Sequence, residues 1–218
     1  SDACDIKCIN MKTNKTNFVL ENEYLAQPYF GVVNELKLIV KPSESKVFLY
    51  QISKNLSECK KIKDLNIKGF QIARSLSTEG YVIGCDKNIL VYNKQDELQL
   101  TLGTKFDFFG FDFRITPPFE IQLKNEKNNL LVFPMERNKT NIYLRYSFKN
   151  VMNIDSNIND ALDMEDENII LACEEKLLLV NLKVYKVEYE VECPQIEDDL
   201  IYYYPHSFVN DHYFHYFL

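Results

Sequence analysis

The chain has 218 residues, 46% of them hydrophobic, and its 13% aromatic content comes from Tyr and Phe alone because Trp is absent. That is enough apolar material for one good core or two small ones and excludes a disordered chain. No run of about 18 apolar residues is present to cross a bilayer as a helix, and the opening SDACDIKCIN lacks the apolar stretch of a secretory leader, so a soluble, cytoplasmic protein without a membrane partner is expected. The net charge of −7 hides an asymmetry: residues 151–218 carry fifteen acids against three Lys, whereas residues 1–150 sum to +5. The two parts are expected to favour different partners.

In chain order, Cys4 and Cys8 stand in an N-terminal segment, 1–33, that precedes the first strong strand signal. That signal is Leu38-Ile39-Val40, a turn-rich Lys41 to Ser45, then Val47-Phe48-Leu49-Tyr50. A basic stretch follows, with Lys60, Lys61 and Lys63 on what reads as a wet strand face, suited at most to peripheral contact with RNA phosphate because no aromatics interleave it. Next come Val82 to Asn93, VIGCDKNILVYN, and a third apolar pair, Ile121 to Leu123 and Leu130 to Phe133, around the polar turn 124–129. NIYLRYSF, with Tyr143, Tyr146 and Phe148, reads as an outer strand with one wet face. An acidic cluster then leads into Ile170 to Asn181, ILACEEKLLLVN, and Val184, Val187, Tyr189 and Val191 alternate with Lys and Glu as an outer strand should. No helical stripe of ten or more residues is found.

VIGCDKNILVYN and ILACEEKLLLVN align without a gap at a separation of 88 residues, matching apolar, small, Cys, acid, polar, apolar run and final Asn. Half that separation, 44, reaches the other two hairpins, a period within the range of a four-stranded propeller blade. Inner blade strands are packed on both faces and so read as continuous apolar runs, as Leu177 to Val180 and Ile89 to Tyr92 do. In period and apolar pattern, residues 34–192 resemble the WD40-type propeller family, although Tyr92-Asn93, Val180-Asn181 and Phe133-Pro134 stand where its Trp-Asp signature would fall. A seven-bladed ring at about 42 residues per blade needs nearly 300 residues. The expectation is therefore a single all-β domain over 1–218, a small or incomplete β-propeller of four to five blades, with 1–33 helping to close the ring and 200–218 as an aromatic tail.

Cys85 and Cys173 fall at equivalent points of the repeat and are expected to be buried thiols rather than staples. The sequons at Asn14, Asn55 and Asn138 are discounted, since an Asn-rich chain makes about two by chance. All three His, 206, 212 and 215, lie in the tail, which makes a preorganised nucleophilic triad unsuited to this chain. A clasp of Cys4, Cys8, His212 and His215 around zinc would need the termini to meet, and its spacing is weak evidence for a zinc enzyme. No Gly-rich phosphate loop and no catalytic residue is assigned, and no cofactor or metal is expected.

The function expected is a non-catalytic protein-binding module, a subunit or adaptor of a larger assembly whose protein partners present basic surfaces. Asp163, Glu165, Asp166, Glu167, Glu174 and Glu175 are the candidate acidic docking residues. Tyr202, Tyr203, Tyr204, Phe208, Tyr213, Phe214, Tyr216 and Phe217 must be buried either on the protein's own ring or on a partner as anchors. An alternative expectation is a factor bound to a ribosome or other ribonucleoprotein particle, of the dormancy or hibernation kind, with the basic portion near phosphate.

Overall fold

The computed structural model describes residues 6–10, 13–20, 29–34, 37–43, 46–55, 57–67, 72–76, 80–108, 116–124, 129–164 and 167–193. Among these residues every regular element but one isolated 3₁₀ residue is a strand. Strands β1 (Ile6–Asn10) and β2 (Lys15–Leu20) pair as a separate antiparallel hairpin. The rest form four four-stranded antiparallel sheets, each a simple meander in chain order. Blade one is β3 (Tyr29–Asn34), β4 (Lys37–Ser43), β5 (Lys46–Ile52) and β6 (Cys59–Asp64). Blade two is β7 (Ile72–Ser75), β8 (Tyr81–Cys85), β9 (Asn88–Tyr92) and β10 (Leu98–Gly103). Blade three is β11 (Phe119–Ile121), β12 (Leu130–Glu136), β13 (Lys139–Leu144) and β14 (Asn150–Ile154), and blade four is β15 (Ile158–Asp163), β16 (Asn168–Cys173), β17 (Lys176–Asn181) and β18 (Lys186–Glu192).

The second strands begin at Lys37, Tyr81, Leu130 and Asn168, steps of 44, 49 and 38 residues, so the 44-residue period is real but loose. A deeper regularity lies in the ladders. In every blade the pairing of third and fourth strands shifts register once, at Leu49/Tyr50, Leu98/Leu100, Ile142/Tyr143 and Leu179/Val180. A bulge adds local twist and turns the outer strand away from the plane of its partners. Pro42 lies within the register shift between Val40 and Ser43, and Pro134 borders the one between Pro134 and Glu136, the irregular positions at which sheets tolerate proline.

Three cores stack the blades in order. Ile39, Val47 and Leu49 of blade one meet Tyr81, Ile83, Cys85, Leu90 and Tyr92 of blade two, where Tyr81 and Tyr92 stack with centroids 4.9 Å apart. Val82, Ile89 and Val91, on the other face of blade two, meet Leu131, Phe133 and Tyr143 of blade three, with Phe108 wedged between. Ile121, Leu130, Val132, Ile142 and Met152 of blade three meet Ile169, Leu171, Cys173, Leu178 and Val180 of blade four. At about 1.5–3 kcal/mol for each large apolar side chain fully buried, these between-blade layers are the main favourable term in the fold. Among the described residues no core cluster joins blade four to blade one.

Two sequence-based placements are corrected. The third blade's inner hairpin is β12 with β13, not Ile121 to Phe133; that pair spans β11 and β12, one strand too early, because the polar turn 124–129 resembles a hairpin loop. NIYLRYSF is not an outer strand: Tyr143 lies on β13, which is buried, and Arg145 to Ser147 form the turn after it. Alternating residues mimic an edge there because Asn141 and Arg145 are polar yet covered or half-covered. The outer strand expected from Val184, Val187, Tyr189 and Val191 is β18 for the last three, whereas Val184 lies in the turn before it.

Candidate interaction surface

The acidic docking residues do not form one patch. Asp163 ends β15, and its Oδ2 accepts the Lys124 backbone N–H at 2.9 Å, tying the loop between β11 and β12 to blade four. Glu167 begins the turn into β16 in the left-handed region (φ 60°), pairs with Lys183 at 3.0 Å, and its carbonyl accepts the Leu182 N–H. Glu174 and Glu175 form the turn at the far end of the same strand. Six strand residues at about 3.3 Å each separate the two groups by on the order of 20 Å. Glu165 and Asp166 lie outside the described residues, as do all eight tail aromatics, Cys4, His212 and His215; Cys8 is on β1, but its side chain is not described.

The Glu174–Glu175 end gathers acids that sequence reasoning did not single out. Lys176 pairs with Glu192 across the β17–β18 ladder, so the end of β18 lies beside this turn with Glu190 and Glu192 exposed. Lys176 donates to Glu190 at 2.8 Å, and this bond lifts its ammonium above the usual lysine range. Glu174 accepts from Asn157 Nδ2 at 3.3 Å while its own N–H donates to the Asn157 carbonyl at 3.2 Å, which locks the turn to the connection carrying Asp155. Asp155, Glu174, Glu175, Glu190 and Glu192 thus share one end of blade four, held by backbone bonds. The signal available in the sequence was β18's alternation, which puts three acids on one outer strand.

The basic residues are largely occupied. Lys60, Lys61 and Lys63 lie on β6, the exposed outer strand of blade one, as the sequence suggested. Lys60 pairs with Glu58 at 2.9 Å, Lys61 places its ammonium 4.2 Å from the centre of the Phe48 ring, and Lys63 donates to the Asp96 carbonyl. Lys37 adds a 2.6 Å ion pair to Asp96 and a 3.0 Å bond to the Lys94 carbonyl. Lys37 and Lys63 of blade one therefore clamp the β9–β10 turn of blade two, so part of the N-terminal positive charge is spent between blades.

Cys85 and Cys173 are buried as expected and each occupies the end of its blade's second strand. Burial pushes both thiols up to about 11, with Asp86 adding to the effect at Cys85 and a Ser156 hydrogen bond opposing it at Cys173. Such thiols are poor nucleophiles at neutral pH. Arg145 is the main buried cation: its Nε lies 3.9 Å from Glu120 Oε1, and burial lowers its pKa while Glu120 partly restores it. The guanidinium packs over Gly80, where a Cβ would come within 2.9 Å of it. The pair lies within blade three, and the Arg145 guanidinium alone reaches blade two, at Gly80. Among the described residues no group of three or more His, Cys, Asp or Glu is placed to hold a metal. A shallow groove runs between β14 and the start of β18, lined by Asn150 to Ile154 and Tyr185 to Val187.

No protein-family model matches the sequence, and no curated protein matches it. Solved structures do match in fold. Sqt1 of Saccharomyces cerevisiae is similar at 11% identity with a TM-score of 0.54, covering 82% of this chain and 54% of that one. The WD40 domain of SCAP from fission yeast is similar at 10% identity, again with a TM-score of 0.54, covering 88% of this chain and 51% of that one. The fold is thus that of a WD40-type propeller, and the chain spans about half the length of the solved structures it matches.

Proposed function

We propose that the protein is a non-catalytic interaction module, a subunit or adaptor of a larger assembly, that presents the acidic end of blade four to a basic protein surface. The observation that carries this reading is the convergence of Asp155, Glu174, Glu175, Glu190 and Glu192 at one end of a blade whose backbone is fixed by the Asn157 and Cys193 bonds. A rigid, charged rim steers and selects a partner of opposite sign at little ordering cost. The two thiols that recur in the repeat, Cys85 and Cys173, are held protonated by burial and are poor nucleophiles at neutral pH.

The test is native fractionation of the full chain and of the variant Glu174→Lys, Glu175→Lys. The wild type is expected in a high-mass complex from which the charge-reversed chain is lost, without change in its thermal midpoint. A wild type that runs as a free monomer at low salt overturns the reading. A ribonucleoprotein particle is one assembly the reading admits; sedimentation with ribosomes at low salt, abolished at high salt, identifies it, and its absence removes that alternative.

A further inference from the structure

Blade four repeats blade two position for position at a separation of 88 residues, and the equivalence extends to which way each side chain faces. Tyr81, Ile83, Cys85, Leu90 and Tyr92 face the preceding blade, and so do their counterparts Ile169, Leu171, Cys173, Leu178 and Val180. Val82, Ile89 and Val91 face the following blade and are 0% exposed, covered by Phe108, Leu131, Phe133 and Tyr143. Their counterparts Ile170, Leu177 and Leu179 are only half-buried. Register places Leu162, Ala172, Tyr189 and Val191 on the same face, with Tyr189 68% and Val191 61% exposed. A largely apolar sheet face, with Asp160 at its β15 edge opposite Ala172, therefore stands only partly covered among the described residues, on the side where blade two receives aromatic rings.

We propose that residues 194–218 of the same chain cover this face, with the aromatic run beginning at Tyr202 as its core. The route of the chain supports that occupant. After β10, Thr104 N–H donates to the Lys87 carbonyl at 2.8 Å, turning the chain back over the inner hairpin, and Phe108 follows four residues later, its N–H on the Asp86 carbonyl. After β18, Cys193 N–H donates to the Glu175 carbonyl at 2.8 Å. Glu175 is the repeat counterpart of Lys87, so the chain leaves blade four by the turn that delivers an aromatic cover in blade two. Ala172 stands in place of Gly84, so a ring here rests about one methyl further from the sheet than Phe108 does.

The chemistry and length fit. Residues 200–210, LIYYYPHSFVN, contain no Lys, Arg, Asp or Glu. Extended, those eleven residues reach about 36 Å at roughly 3.3 Å each, and a four-stranded sheet is only on the order of 15 Å across between its edge strands, so the run is long enough to cross it. A tethered segment is also present at an effective concentration on the order of millimolar, above that of a second copy at micromolar protein.

The experiment places the photo-crosslinker benzoylphenylalanine at position 189 of the full chain, in place of Tyr189, a ring for a ring on an exposed outer strand. The expected result is an intramolecular cross-link whose partner peptide lies within 194–218, in a particle of monomer mass. A cross-link to a second copy, or to any segment outside 194–218, overturns the proposal, as does irradiation that yields no cross-link. A second measurement uses the full chain carrying Tyr202→Ser, Tyr203→Ser, Tyr204→Ser and Phe208→Ser. Binding of a hydrophobic dye is expected to rise several-fold, and the rise to vanish when Leu177→Lys and Leu179→Lys are added. Unchanged dye binding in the aromatic variant counts against the cover. The crosslinker and the serine substitutions leave Asp155, Glu174, Glu175, Glu190 and Glu192 in place, so failure of those two readouts leaves the proposed function standing.

Discussion

Blades two and four carry nearly the same inner hairpin, yet among the described residues one is sealed on both faces and the other on one. β8 is buried at every position and β9 at all but its first, whereas β16 and β17 alternate buried and half-buried residues. The side chains differ little: Val82, Ile89 and Val91 against Ile170, Leu177 and Leu179. Burial is thus set by what packs against the hairpin, Phe108, Leu131, Phe133 and Tyr143 in blade two, and not by the hairpin itself. Leaving three large aliphatic groups half in water forgoes several kcal/mol, which is the physical ground for the proposed cover on blade four.

The comparison can be broken at its most sensitive point, the wedge in blade two. Phe108→Ala removes a fully buried ring shared by blades two and three and is expected to cost about 3–5 kcal/mol in chemical denaturation. A loss under about 1 kcal/mol would mean the ring is not the seal of that face. Next in size is a matched pair. Ile89→Ala is expected to cost about 2–5 kcal/mol; Leu177→Ala, its counterpart, should cost a comparable amount if the tail covers blade four and about 1 kcal/mol if the face is open.

The thiols sharpen the comparison through pH. Cys85 and Cys173 are held protonated, with folded pKa values up to about 11 against roughly 8.5–9 in an unfolded chain. Above pH 9 the unfolded state binds fewer protons than the folded one, so stability falls as pH rises and the loss is complete near pH 11, on the order of 2 kcal/mol per thiol. Cys85→Ser and Cys173→Ser together should flatten that part of a stability–pH curve. In a thiol-labelling time course at pH 8, both should react far more slowly than the half-buried Cys59 and Cys193; if Cys173 labels well before Cys85, blade four opens locally and the comparison is sharper than the static burial shows. The smallest effect is at the glycine. A Cβ at Gly84 would lie 2.7 Å from the Phe108 ring, so Gly84→Ala should destabilise by about 1–2 kcal/mol. Phe108→Leu in the same chain should recover part of that loss, whereas Ala172→Gly should change stability by about 1 kcal/mol or less.

Much of this was legible in the sequence because packing on both faces demands long apolar runs, and a repeated environment demands a repeated pattern. The inner hairpins of blades two and four, the outer strand β18 and the buried thiols were all readable in that way. Blade three was misregistered because a connecting loop and a hairpin turn share the same polar residues, and only strand pairing tells them apart. The candidate surface was less legible. Asp163 and Glu174 are near in sequence but stand at opposite ends of a blade, and Glu190 and Glu192 join Glu174 through a cross-strand register that no local pattern encodes.

The sequence by itself determined the all-β class, the blade-sized period and which residues are apolar, since each follows from local alternation and side-chain transfer energy. Only the tertiary structure decided that Lys37 and Lys63 clamp a neighbouring blade, that Glu120 and Arg145 are a buried pair, and that one copy of the repeated hairpin is less covered on one face by the described residues than the other. Those outcomes depend on which blade lies against which, and such long-range neighbours are set by the whole stack.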